Sequence, residues 1–166
     1  MEAKLKSGPY LLVSMLVVGV LNSVPARSQE VKAGDLVISQ PWCRAAPAGA
    51  DFASCYLAIE NKGTVADRLA GGSSDVAEKL QIQKTSMEGG ATSAQPVEGG
   101  LGISPAEKVV FAPGAYKLAL LKLKSALKRA AQVSLALEFE KAGKVTVPFD
   151  VLGPAATGPA APKTKK

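Results

Sequence analysis

The stretch that decides the fold is Tyr116–Val151, YKLALLKLKSALKRAAQVSLALEFEKAGKVTVPFDV. Its second half alternates. Val133, Leu135, Leu137 and Phe139 are separated by single residues, as are Val145, Val147, Phe149 and Val151 beyond the Ala142-Gly143 turn. A period of two is that of a half-buried strand. The first half is ambiguous. Residues 117–131 are rich in helix formers and contain neither Gly nor Pro, so local propensity alone favours an amphipathic helix. The segment follows the Pro113-Gly114 turn and precedes two strands, so it is read as a strand over Tyr116–Leu123 and a helical turn over Ser125–Arg129.

Outward from this stretch the chain supplies more short strands and turns. Lys108–Phe111 reads as a strand. In Glu78–Lys84, Leu80 and Ile82 point inward and Gln81 and Gln83 outward. Met87–Ser93 is a glycine-containing turn, Glu98–Pro105 is loop-like, Asp67–Ala70 is a short strand and Gly71–Asp75 (GGSSD) is a loop. Gly34–Ser39 reads as a first strand. Trp42–Ala45 and Ser54–Glu60 are the arms of a hairpin, followed by the Asn61-Lys62-Gly63 turn signal. Short strands at regular spacing with turns between them define an all-β sandwich.

Cys43 and Cys55 are the only cysteines, and their midpoint is Gly49, in the centre of the hairpin loop. In a simple antiparallel hairpin they would be direct cross-strand partners, within disulfide reach. In an oxidising compartment a Cys43–Cys55 disulfide is therefore expected; two reduced, buried thiols are the alternative.

The first residues follow secretory logic. Lys4 and Lys6 precede the apolar run Tyr10–Leu21, and the small residues Ala26 and Ser28 offer cleavage points. The run is too short to span a bilayer core of ~30 Å unaided, although an uncleaved anchor is the alternative. The chain thus divides into a signal peptide (1–28), a single β-sandwich domain (29–152) and a Pro/Ala-rich basic tail (153–166), which composition reads as disordered. This predicts a periplasmic protein with no transmembrane segment after signal cleavage.

Of the net charge of +6, the signal region and Lys163, Lys165 and Lys166 account for +5. The body is nearly neutral and no basic stripe interleaves with aromatics, so nucleic-acid binding is not expected. The chain has no histidine. Ser-His and Cys-His nucleophile pairs and His-ligated metal sites are thereby excluded. Asp51, Glu60 and Asp67 are scattered carboxylates without a pairing signal, read as solvated loop residues. No enzyme is expected.

The order of features resembles the PCu(A)C family of periplasmic copper chaperones. Trp42-Cys43-Arg44 stands for its Trp-x-Arg, and Tyr56–Gly63 (YLAIENKG) for its Tyr-x-x-Ile-x-Asn-x-Gly. Asp67-Arg68-Leu69, Glu98-Gly99-Gly100, Phe111–Tyr116 (FAPGAY) and Leu121–Lys124 continue the match. The resemblance implies a cupredoxin-like (immunoglobulin-like) β-sandwich that carries Cu(I) on two His and two Met, spaced His-x10-Met-x21-His-x-Met. Here those places fall on Gln83, Ala94, Lys117 and Ala119. This stretch is one residue longer than the family spacing; shifting its end back gives Tyr116 and Leu118, which are no better as ligands.

A Gln amide oxygen is hard, Ala offers nothing and a Lys ammonium repels a cation, so no copper cofactor is expected. Met87 with the two thiols is a remote alternative donor set. The implied function is that of an exported binding or accessory protein which has lost the copper site. The alternative is continued copper delivery in oxidase assembly, through another site or a ligand-bearing partner. A periplasmic protein partner is expected, with Trp42, Arg44, Tyr116 and Lys117 as candidate contacts.

Overall fold

The computed structural model describes residues 29–159; residues 1–28, expected as a signal peptide, and residues 160–166 lie outside them. Among the described residues all regular structure is β: β1 (Glu30–Ala33), β2 (Leu36–Arg44), β3 (Phe52–Asn61), β4 (Asp67–Ser74), β5 (Ala77–Glu88), β6 (Ala91–Pro96), β7 (Leu101–Ile103), β8 (Lys108–Val110), β9 (Tyr116–Leu123), β10 (Gln132–Phe139) and β11 (Gly143–Leu152). The hydrogen-bonded order is β6-β5-β9-β3-β2-β11-β10-β4-β7, with β1 on β2 and β8 on β3. Only β11–β2 is parallel. The ladder folds over itself as a cupredoxin- or immunoglobulin-like sandwich. Leu80, Ile82, Leu118 and Leu120 from one layer therefore share a single core with Leu135, Leu137, Val147 and Phe149 from the other. Each such side chain contributes about 1.5–3 kcal/mol by leaving water.

Tyr116–Leu123 is a strand, within the bounds expected. Its helix-forming composition is overridden because β9 lies between β5 and β3. There Leu118, Ala119 and Leu120 are buried together, on both faces of the sheet. The helical turn expected over Ser125–Arg129 does not form. Leu127 is instead extended and exchanges two backbone hydrogen bonds with Ala46, each 3.0 Å, while its side chain is buried. A tertiary bridge plus burial outweighs a weak local helix preference.

Four other boundaries move. The strands expected over Gly34–Ser39 and Trp42–Ala45 merge into one, β2 (Leu36–Arg44), with a register shift between Ser39 and Trp42 where Gln40 takes a φ of 53°. Gly71–Ser74, expected as a loop, continues β4 against β10. Glycine serves packing there: a Cβ on Gly72 would stand 2.5 Å from the Ala136 carbonyl oxygen. The loop-like Glu98–Pro105 contains β7, and the glycine turn after Met87 opens into the edge strand β6.

Cys43 and Cys55 are cross-strand partners in β2–β3 and form the expected disulfide, fully buried. Its removal by Cys43→Ala/Cys55→Ala should cost about 3 kcal/mol, from the loop-closure entropy returned to the unfolded chain. Urea unfolding of the double variant checks this; an unchanged midpoint would show that the bond is energetically idle.

Asp67 corrects a second reading. It is not a solvated loop residue but is buried at the start of β4. Its carboxylate accepts from the backbone N–H groups of Arg68 (2.7 Å), Lys141 (2.9 Å) and Ala142 (2.9 Å), tying the β10–β11 turn to β4. Burial pushes its pKa up, but the N–H donors together with the Lys141 charge outweigh that and hold it below the ordinary carboxylate value. A depressed folded-state pKa gives stability that is present above about pH 4 and lost as pH falls through the folded value. Asp67→Asn should therefore flatten the acid limb of the stability–pH curve, measured by urea midpoints from pH 7 to pH 2.5.

Candidate functional site

The β-ladder decides which side chains share a face. In β5–β9, Gln83 lies opposite Lys117 and Gln81 opposite Ala119. In β5–β6, Thr85 lies opposite Ala94 and Met87 opposite Thr92. In β3–β9, Ser54 lies opposite Ala119 and Phe52 opposite Leu121. Directly paired residues point the same way, so Gln83, Ala94, Lys117 and Ala119 all stand on the outer face of this layer. Leu80, Ile82, Leu118 and Leu120 fill the core side. The structure brings together four positions spread over 37 residues of sequence. At the β9 end, Lys117 and Ala119 share the face of Gln83, whereas Tyr116 and Leu118 point to the other side.

The positions are filled by side chains that engage one another. The Gln83 Nε2 donates to the Gln81 Oε1 at 3.0 Å. The Lys117 ammonium stands 6.0 Å from the centroid of the Phe52 ring, a cation–π contact reached past Ala119. Ala119, expected to face outward as a surface position, is only 1% exposed. It has the right face, but its neighbours cover it. Among the described residues no group of three or more His, Cys, Asp and Glu side chains could hold a metal ion. Met87 is on the same face and 79% exposed. The donor set suggested for Met87 with two thiols does not exist, since both sulfurs are in the disulfide.

The candidate partner residues divide. Trp42 is buried and stacks on Tyr56 with ring centroids 4.5 Å apart, so it supports the fold instead of contacting a partner. The Arg44 guanidinium lies over the Tyr56 ring at 5.7 Å, and its Nε donates to the Ala156 carbonyl at 2.9 Å. The first residues of the Pro/Ala-rich tail are thus held on the body at this end. Tyr116 sits opposite Lys84, on the other side of the strand from Lys117, and packs against Phe111 at 5.9 Å. Lys117 keeps its place on the outer face. Phe52, which falls within the expected hairpin loop between Ala45 and Ser54, is 57% exposed beside it. Register alone makes Phe52 part of this face, and no local signal gives that register.

A two-layer all-β sandwich of this topology defines the class: a PCuAC-type domain. The chain belongs to the LpqE-like family, a PCuAC-like family whose model, described as putative lipoprotein LpqE-like, matches residues 36–151. A putative lipoprotein of Leifsonia xyli subsp. xyli (strain CTCB07) is 27% identical over 118 residues, 70% of each chain. The copper-bound PCuAC domain from PmoF2 superposes with a TM-score of 0.65 at 27% identity, over 76% of this chain and 99% of that one. The apo PCuAC domain from PmoF1 gives 0.64 at 28% identity, over 76% and 100%. Among the described residues no helix is long and apolar enough to cross a membrane.

Proposed function

We propose that this chain is an exported, periplasmic PCuAC-like accessory protein, not an enzyme, that has given up the copper site and uses the same face to bind a protein partner. The observation that supports this reading is the occupancy of that face. Gln83, Ala94, Lys117 and Ala119 stand where the resemblance puts four soft or imidazole ligands, and the chain holds no histidine at all. A Lys ammonium among these positions opposes a cation, and the Gln83–Gln81 and Lys117–Phe52 contacts engage the two polar side chains at them within the face. Export agrees with the buried disulfide and with a relative described as a lipoprotein. In this chain both cysteines are paired, so neither sulfur is free to carry a thioether-linked lipid.

The test is competition for Cu(I) against a chromogenic chelator under anaerobic conditions. The protein should leave the chelator's spectrum unchanged at submicromolar free copper. Stoichiometric withdrawal of Cu(I) would overturn the reading.

A second reading keeps the protein in copper delivery, as one half of a shared site. Met87 favours it: an exposed thioether on the right face is one soft donor that a ligand-bearing partner could complete. Copper-dependent complex formation, abolished by Met87→Leu, would select this reading over the first.

A further inference from the structure

The outer face of β5, β6 and β9 with the paired half of β3 has a charge pattern that the loss of copper ligands does not by itself require. Its β5 positions are Lys79, Gln81, Gln83, Thr85 and Met87; β6 adds Thr92, Ala94 and Pro96; β9 adds Lys117, Ala119 and Leu121; β3 adds Phe52 and Ser54. No Asp or Glu stands at any of these positions. Lys79 and Lys117 do, and neither is in an ion pair among the described residues. The carboxylates next to these positions along the chain are Asp51, Glu78 and Glu88, each one residue out of the face's two-residue register, and Glu78 is taken by Lys122 at 3.2 Å. The face also carries two of the most exposed large apolar side chains of the described residues, Phe52 and Met87.

From this we infer that the face docks an acidic protein segment in which carboxylates alternate with apolar side chains. The inference rests on the proposal that this is the partner surface, but not on the absence of copper. Charge complementarity selects the partner. Two unpaired ammonium groups on a face without a carboxylate favour an anionic segment and reject a basic one. Phe52 and Met87 supply apolar anchors of the kind that carry binding energy at interfaces. The single bond from the Gln83 Nε2 to the Gln81 Oε1 leaves the Gln81 amide N–H and the Gln83 amide oxygen to turn toward a peptide backbone. The Lys117–Phe52 contact pre-positions the cation beside the aromatic anchor, which lowers the ordering cost of binding.

The probe is a fluorescein-labelled twelve-residue peptide of alternating Glu and Leu, read by anisotropy against the full chain. A Glu→Gln version and phosphatidylglycerol vesicles are the comparison probes. Saturable binding of the Glu peptide is expected, weakening as salt rises. Lys79→Glu/Lys117→Glu should reduce affinity about tenfold or more, and Phe52→Ser should reduce it severalfold. All three side chains are at the surface, so the variants should fold; Lys32→Glu/Lys108→Glu, elsewhere on the molecule, should leave affinity within about twofold. Equal binding of the Gln peptide, or insensitivity to the Lys79/Lys117 reversal, would overturn the inference. So would vesicle binding that depends on Lys79 and Lys117 without peptide binding, because the face would then be meeting lipid. Copper withdrawal from the chelator would sink the proposed loss of the metal site and leave this result standing, so the two failures are distinguishable.

Discussion

Gln83→His, Ala94→Met, Lys117→His and Ala119→Met introduced together should give a chain that withdraws Cu(I) from a chelator at submicromolar concentration, where the unsubstituted chain is expected to leave it. The reason is positional. Gln83 and Lys117 are direct cross-strand partners, Ala119 is two residues along the same face, and Ala94 lies opposite Thr85, two residues from Gln83. Direct partners hold Cβ atoms about 4.5–5.5 Å apart and diagonal ones about 7–8 Å, so position 83 reaches 117 directly and 94 and 119 each on a diagonal, while 94 and 119 are two strands apart and would have to approach an ion seated near position 83 from opposite sides. Such a soft and borderline donor set suits Cu(I). Lys117→His also removes a repelling charge and lifts the ammonium from beside Phe52.

Affinity in this variant should fall as pH drops below about 6.5, because imidazole must be neutral to coordinate. Ala119 is almost fully covered, so Ala119→Met carries an overpacking cost of about 1–3 kcal/mol. The triple variant without it keeps the experiment readable if the fourth substitution disturbs the sheet. A folded quadruple variant that leaves copper on the chelator would show that the outer face no longer has a carrier's geometry.

The largest loss of stability is expected from a residue that looks like an ordinary turn former. Asn61 is 1% exposed at the end of β3. Its Nδ2 donates to the Val65 carbonyl at 2.9 Å and the Ile103 carbonyl at 3.2 Å, and its Oδ1 accepts from the Gly63 N–H at 3.0 Å. One amide thereby closes the β3–β4 turn and pins it to β7. Asn61→Asp keeps the shape and removes both donors, leaving a buried carboxylate against two carbonyl oxygens. The cost should be about 3 kcal/mol or more, from unsatisfied acceptors plus burial of a charge. That is a large share of a typical domain stability of roughly 5–15 kcal/mol. Urea unfolding at pH 7 measures it, and a loss under about 1 kcal/mol would show that the turn closes without those donors.

Asn61 and Asp67 also show why the recognisable motifs were legible and their roles were not. Tyr56–Gly63 and Asp67-Arg68-Leu69 carried the resemblance to copper chaperones, yet their polar groups serve the scaffold. Asn61 satisfies carbonyls from two other segments, and Asp67 satisfies N–H groups 74 and 75 residues away. Trp42 behaves in the same way, since a tryptophan in a motif reads as a contact until its burial against Tyr56 is seen. Hydrogen bonds over such separations leave no trace in local composition.

Local sequence sufficed for the β-sandwich, the family likeness, the cysteine pairing and the residue identities at the candidate positions. Each rests on a local quantity: a period of two, the order of short motifs, the symmetry of one hairpin, the identity of single side chains. Tertiary structure alone decided the rest. Neighbours on both sides drew a helix-prone segment into β9, and the bridge to Ala46 kept Leu127 extended. Register on the folded ladder put Gln83, Ala94, Lys117 and Ala119 on one face, chose Lys117 over Tyr116, and placed Phe52 beside it. A shift of one residue would have turned every one of these side chains to the other side of the sheet, which is why periodicity could suggest the face but only strand pairing could assemble it.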